Sequence, residues 1–186
     1  MKKIIPAGLF LLLMTACNNS SKDTVEKADS INEHNTNVSS GTGTATAEFL
    51  VRVANSGMAE VEVTALAQQK AQSQEVKDLA AMLNHDHTAL NDVVKGLAAQ
   101  KTIALPDSMT ADKRQMIDDL NKKSGKDFDK DFLDAMISAH KTSIESFERT
   151  ASNETDAEVK NFAAQTLPKL REHLDKAEAL KKKLFP

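Results

Sequence analysis

A stripe of apolar residues centred on residue 87 recurs in steps of three and four. This spacing puts its members on one face of an α-helix and predicts a helix from about Gln74 to Ala99. The stripe has a single polar member, at its centre: Val76, Ala80, Leu83, His87, Leu90, Val94 and Leu97. Because a histidine in a core stripe needs a polar partner, other helices must supply residues that meet it.

Three further stretches with helical periodicity predict helices over residues 45–72, 127–151 and 156–184. Short links within each successive pair predict antiparallel hairpins. Residues 100–127 form a long connection, in which Pro106 interrupts the helical pattern and Thr110 can begin a short helix ending near Lys123. Aromatic residues are limited to seven Phe, so Ala, Leu, Val and Met must build the core, which favours helices. The sequence predicts an all-α, up-down four-helix bundle.

A short internal repeat sets the register of the two hairpins, since EVKDLAA at 75–81 matches EVKNFAA at 158–164. Counting along the helices then places one polar residue from each near a common level: Glu60, His87, His140 and His173. His173 comes out three residues deeper, roughly 4.5 Å at the helical rise. Pro168 should kink the last helix, and that kink can absorb the difference.

Three imidazoles and a carboxylate suit one divalent transition metal such as Zn, Fe or Mn, and bundle cores are a recurrent place for such sites. The sequence therefore predicts a metal site with four ligands: Glu60, His87, His140 and His173. The alternative is a metal-free hydrogen-bonded network of the same side chains in a structural or interaction protein.

Neighbouring polar residues are assigned by their position around each helix. Glu60 is preferred to Glu62 as the core carboxylate because its helical neighbours are small or apolar. His85 should face outward, about 200° from His87 on an ideal helix. Asp86 lies at the edge of the stripe, where it can accept a hydrogen bond from a histidine.

The first residues predict a targeting signal. Lys2 and Lys3 precede an apolar run that is too short to span a bilayer. The segment Leu13-Met14-Thr15-Ala16-Cys17 resembles a bacterial lipobox, which implies cleavage before Cys17 and its acylation. The alternative is an ordinary secretory signal with a chance cysteine. In Gram-negative lipoproteins, Asp directly after the acylated cysteine is the signal that prevents transport to the outer membrane. This chain has Asn18 at that position, which favours the outer membrane.

These assignments divide the chain into a signal peptide (1–16), a flexible tether rich in Asn, Ser, Thr and Gly (17–44), and a helical domain (45–186). The formal net charge of −3, without a basic patch bearing aromatics, argues against a nucleic-acid partner. No Gly-rich phosphate loop, nucleophile elbow or Cys/His pair is present, so no enzymatic reaction is predicted. The membrane, through the lipid, is the one predicted partner.

Four segments carry a family resemblance: Ala59-Glu60-Val61, Asp86-His87-Thr88, Phe128-Asp129 followed by His140, and Leu167 to Leu174. With them, residues 45–184 resemble the bacterial domain of unknown function 4142 family, which is described as predicted outer-membrane proteins. The resemblance implies a ferritin-like bundle in the cell envelope and no established activity. Di-iron bundles use two Glu-x-x-His motifs, but Asn84 and Leu170 occupy the Glu positions here, so no di-iron centre is expected.

Overall fold

The computed structural model describes residues 22–35 and 42–186, in which the regular structure is helical. The six helices are α1 (Lys22–His34), α2 (Thr42–Lys70), α3 (Gln74–Gln100), α4 (Ala111–Asn121), α5 (Gly125–Asn153) and α6 (Ala157–Leu184). The predicted all-α fold is confirmed over this part of the chain. None of these helices combines the length and apolar character needed to cross a bilayer. The predicted signal peptide and Cys17 lie outside the described residues.

The four long helices form two hairpins that pack side by side. α2 pairs with α3 and α5 pairs with α6, while α2 also lies against α5 and α3 against α6. The predicted helix bounds agree with these helices to within three residues. The short α4 packs on α2 and α5, where Arg114 pairs with Glu62.

Polar contacts at the two ends of the bundle fix the direction of each helix. At one end, the Asp129 carboxylate near the start of α5 accepts the N–H groups of Gln72 and Ser73 in the α2–α3 turn. At the other end, Lys101 after α3 pairs with Asp156, the N-cap of α6. α3 and α5 therefore run in the same direction, and the order is up, down, down, up. The predicted alternation holds within each hairpin but not between them, because residues 101–124 return along the length of the bundle.

The helix α1 corrects part of the predicted tether over residues 17–44. Residues 22–34 are helical and pack against α2. Ala28 is buried there, and the Asn32 side chain both donates to and accepts from the backbone of Ala104, at 3.0 and 2.7 Å. The prediction of a flexible segment does not hold for α1 because polar side chains, Asn32 together with Thr24 and Asn35, rather than large apolar residues, hydrogen-bond it to the domain.

The core has two apolar clusters that lie one above the other along the bundle. One contains Leu83, Phe132 and Met136, and the other contains Val94, Phe147 and Leu170. On α3, α5 and α6 a buried histidine lies between members of the two clusters. The fold thus encloses a polar layer between two apolar layers.

Candidate metal centre

Each long helix contributes one residue to the polar layer. The exposed fractions are 6% for Glu60 on α2, 2% for His87 on α3, 0% for His140 on α5 and 1% for His173 on α6. The structure therefore brings together the four residues predicted from the sequence. Glu60 rather than Glu62 faces the core, and His85 is exposed, as expected from their helical positions.

Three ring nitrogens converge at the centre of this layer. Nε2 of His140 lies 3.3 Å from Nε2 of His87 and 3.3 Å from Nδ1 of His173. One ring nitrogen from each of the three histidines lies within 4.8 Å of the other two. Ligand nitrogens of a tetrahedral zinc ion, at about 2.05 Å from the metal, are themselves about 3.3 Å apart. The spacing of two of the three pairs is therefore that of ligands on one ion.

The opposite nitrogen of each ring meets a hydrogen-bond acceptor. Nδ1 of His140 donates to the carbonyl oxygen of Met136 at 2.8 Å, and Nε2 of His173 donates to Oδ2 of Asp86 at 2.8 Å. Nδ1 of His87 lies 2.8 Å from Oε2 of Glu60, an ion-pair distance, although the N–H is not well aligned with the oxygen. Histidines that bind metals are commonly held in this way, which fixes the ring and its tautomer.

Both outer carboxylates favour the ionised form. Burial raises the pKa of Glu60, but the charge and hydrogen bonding of His87 outweigh it and lower that pKa to about 2. Burial likewise raises the pKa of Asp86, but hydrogen bonding to His173 and the charge of Lys169, 3.5 Å away, bring it below its usual value. At neutral pH these two groups accept hydrogen bonds and cannot donate them.

Counting protons shows what the centre of the cluster requires. A neutral imidazole has one N–H, and here each ring faces an outer acceptor that needs it. The three inner nitrogens are then lone pairs pointed at one another, with no proton to share among them. The cluster of His87, His140 and His173 therefore suits a cation: a metal ion can accept all three lone pairs, whereas one extra proton would satisfy only one of the two inner contacts.

The histidines differ in how readily they would take that proton. Burial lowers the pKa of His140, and it lowers the pKa of His173 to about 4. Burial also opposes charge on His87, but the carboxylates of Glu60 and Asp86 prevail and raise its pKa. His87 is therefore the ring that best holds an extra proton.

The Glu60 carboxylate does not join the three converging nitrogens but contacts the opposite nitrogen of the His87 ring. The group of ligand atoms within 4.8 Å of one another comprises the three histidines alone, while the Glu60 carboxylate contacts the far side of His87. Asp86 takes the outer position that its place at the edge of the stripe predicts. The sequence did not predict the Met136 carbonyl as a partner of His140, because any residue type has a backbone carbonyl. The one available signal is that a residue four positions earlier on a helix lies next to the histidine ring.

A cavity of about 260 Å³ lies between α2 and α5 and reaches the polar layer. Glu60 and His87 line its inner end. Its walls combine small or hydroxyl-bearing residues with apolar ones, including Ser56, Gly57, Ser143, Ser146 and Phe147.

Comparison with known proteins identifies the family but gives no activity. The family described as a domain of unknown function, DUF4142, matches residues 32–180, which is most of the chain. The chain belongs to the DUF4142 family. A search of curated proteins finds none that matches it.

The DUF4142 bundle is similar in fold to the crystal structure of a DUF305 fragment from Deinococcus radiodurans. The TM-score is 0.67 at 13% sequence identity, over 75% of this chain and 96% of that one. At this identity the similarity concerns the fold alone.

Proposed function

We propose that this DUF4142 domain binds one divalent transition metal ion through Nε2 of His87, Nε2 of His140 and Nδ1 of His173. The observation that carries the proposal is the proton count: three inner lone pairs 3.3 Å apart in two contacts, with every outer nitrogen facing an acceptor. A divalent cation supplies the charge that this arrangement lacks.

The donor set narrows the choice of metal. Three imidazoles suit Zn and Fe, as well as Cu and Ni, whereas Mn prefers oxygen ligands. Glu60, predicted from the sequence as a fourth ligand, holds His87 from behind in the proposed site. The fourth coordination position is then taken by water or another small ligand.

Elemental analysis of residues 22–186, purified without a histidine tag, tests the proposal. After reconstitution with Zn, Fe, Mn, Cu and Ni in turn, we expect about one ion per chain for the preferred metal. His140→Ala should lose it, because one of three ligands is gone. His85→Ala is the matched control, since His85 is exposed. Absence of bound metal in the wild type under all five conditions would overturn the proposal.

A metal-free structural role is the second candidate, and the raised pKa of His87 favours it. One extra proton on that ring would let Nε2 donate to Nε2 of His140 without an ion, although Nδ1 of His173 would still lack a donor. This role predicts that a chelator leaves the melting temperature of the protein as isolated unchanged.

For the cell-level role we propose a lipid-anchored envelope protein, with the outer membrane as its site. The support is the sequence from Leu13 to Cys17 followed by Asn18. Incorporation of a labelled fatty acid into the full chain tests this, and Cys17→Ser should abolish it. Retention of label in that variant would contradict acylation at Cys17.

We also propose that the bundle is ferritin-like. The support is its single long crossover, which joins the parallel helices α3 and α5 and is the connection found in ferritin-like folds.

A further inference from the structure

The three histidines are almost completely enclosed, so an ion needs a route to reach them. Their exposed fractions do not exceed 2%. The cavity between α2 and α5 leads towards them, with the exposed residues Arg52 and Thr142 at its outer part and Glu60 and His87 at its inner end.

Small polar residues line the part of this cavity where the two helices face each other. α2 contributes Ser56 and Gly57, and α5 contributes Ser143 and Ser146. Larger side chains at the three serine positions would fill the gap between the helices, whereas a Cβ at Gly57 would point at Asn91 on α3. The hydroxyl groups can also hydrogen-bond the water molecules that accompany a hydrated ion.

The inner end of the cavity presents a negative charge. The Glu60 carboxylate lines it, 2.8 Å from the His87 ring. Lys113 also lines the cavity and brings an opposing positive charge. A cation that passes Lys113 is therefore attracted to the inner end of the cavity by the Glu60 carboxylate.

The other carboxylate beside the cluster is less suited to receive an incoming ion. Asp86 reaches the surface, with 21% of its side chain exposed, but it already binds His173 and pairs with Lys169 at 3.5 Å. A cation arriving there would have to displace the Lys169 ammonium group.

We propose that the α2–α5 cavity is the route by which a divalent cation reaches the three histidines, with Glu60 as its first protein ligand. This inference rests on the proposed metal-binding function. On this proposal, the small side chains of the cavity wall control how fast the ion enters and leaves, and they do not affect how tightly it is bound.

Stopped-flow mixing with Co²⁺, followed by its visible absorption, measures that rate after equilibrium titration has established binding. Ser143→Phe should slow association and dissociation together, by about tenfold or more, and leave the dissociation constant unchanged. Ser152→Phe, on an exposed position of the same helix, should bind at the wild-type rate. Ser56→Leu blocks the cavity from the α2 side and should reproduce the effect, which guards against misfolding of one variant.

Charge at the cavity gives a second measurement. Lys113→Gln should speed Co²⁺ association, and added salt should reduce the gain, because steering by exposed charge is screened. Wild-type rates in both blocked variants, with Co²⁺ still bound at equilibrium, would overturn the route while leaving the metal site intact. Failure of the wild type to bind Co²⁺ or any of Zn, Fe, Mn, Cu and Ni at equilibrium would overturn the metal function and the route with it.

Discussion

Nε2 of His140 lies 3.3 Å from Nδ1 of His173, so these two rings meet through nitrogens of different type. Their other nitrogens are fixed by the Met136 carbonyl and the Asp86 carboxylate. His140 must therefore keep its proton on Nδ1, and His173 must keep its proton on Nε2. This asymmetry is a property of the fold that a metal-binding experiment can detect.

The first prediction concerns tautomers in the zinc-loaded protein. We expect His87 and His140 to bind zinc through Nε2 and His173 through Nδ1, because the outer acceptors fix the remaining proton. Two-bond ¹⁵N–¹H correlation spectra of the rings distinguish the two tautomers. The same tautomer at all three histidines would contradict the arrangement.

The second prediction concerns Asp86. Asp86→Asn removes the charge that holds the Nε2–H of His173, so we expect metal affinity to fall about 10- to 100-fold. Competition with a chelator of known affinity measures the change. Asp92→Asn on the exposed face of the same helix makes the matched control, and equal affinities of the two variants would refute a role for Asp86.

The third prediction concerns stability of the metal-free protein as pH falls from 6.5 to about 4. Burial lowers the pKa of His140, and it lowers that of His173 from 6.5 to about 4. In this pH range the unfolded chain therefore binds more protons than the folded protein does. The free energy of unfolding should therefore fall with pH across this window. The raised pKa of His87 acts in the opposite sense but above pH 6.5, and Glu60 contributes only between pH 4.5 and about 2.

Urea unfolding at intervals between pH 4 and 8 tests this dependence. His173→Gln should flatten the loss of stability within the window, whereas His85→Gln should preserve the wild-type profile. A slope unchanged by His173→Gln would show that another group is responsible.

The fourth prediction compares two glycines in the bundle. A Cβ at Gly57 would overlap the side chain of Asn91, whereas a Cβ at Gly96 meets nothing within 4 Å. We expect Gly57→Ala to destabilise the fold by about 1–3 kcal/mol, as overpacking does. Gly96→Ala should stabilise it by up to about 1 kcal/mol through helix propensity. Denaturant titration gives both values, and a stable Gly57→Ala variant would mean that Asn91 moves away freely.

The fifth prediction concerns α1. Asn32→Ala removes the two hydrogen bonds to Ala104 and should cost about 1–3 kcal/mol of stability, because the Ala104 backbone groups lose their partner. Ser30→Ala, at an exposed position of α1, is the control. Hydrogen exchange of the α1 amides should quicken in Asn32→Ala alone. Equal exchange in both variants would show that Asn32 does not hold the helix in place.

The sequence predicted which residues meet in the polar layer because its signal is periodic. His87, His140 and His173 each lie on an apolar stripe, and an apolar stripe must face the core whatever the details of packing. The short internal repeat then supplied their common level. Glu60 could be distinguished from Glu62 for the same reason, since its helical neighbours are small or apolar.

Features that depend on tertiary contacts had no comparable signal. The docking of α1 rests on polar side chains, above all Asn32 with Thr24 and Asn35, in a segment whose composition is typical of disorder. α3 and α5 are parallel because the connection that carries α4 returns along the length of the bundle. The spacing of apolar residues does not predict the path of this connection. Nor does spacing reveal which side of the His87 ring Glu60 approaches.

The docked helix α1 also limits how far the domain can extend from a membrane. If Cys17 carries the proposed lipid, five peptide steps separate it from Lys22, the first residue of α1. Even fully extended, five steps span at most about 18 Å. Because α1 is packed on α2, the part of the domain that carries the start of α1 would stay within about 18 Å of the lipid, so the domain would be held at the bilayer surface by this edge.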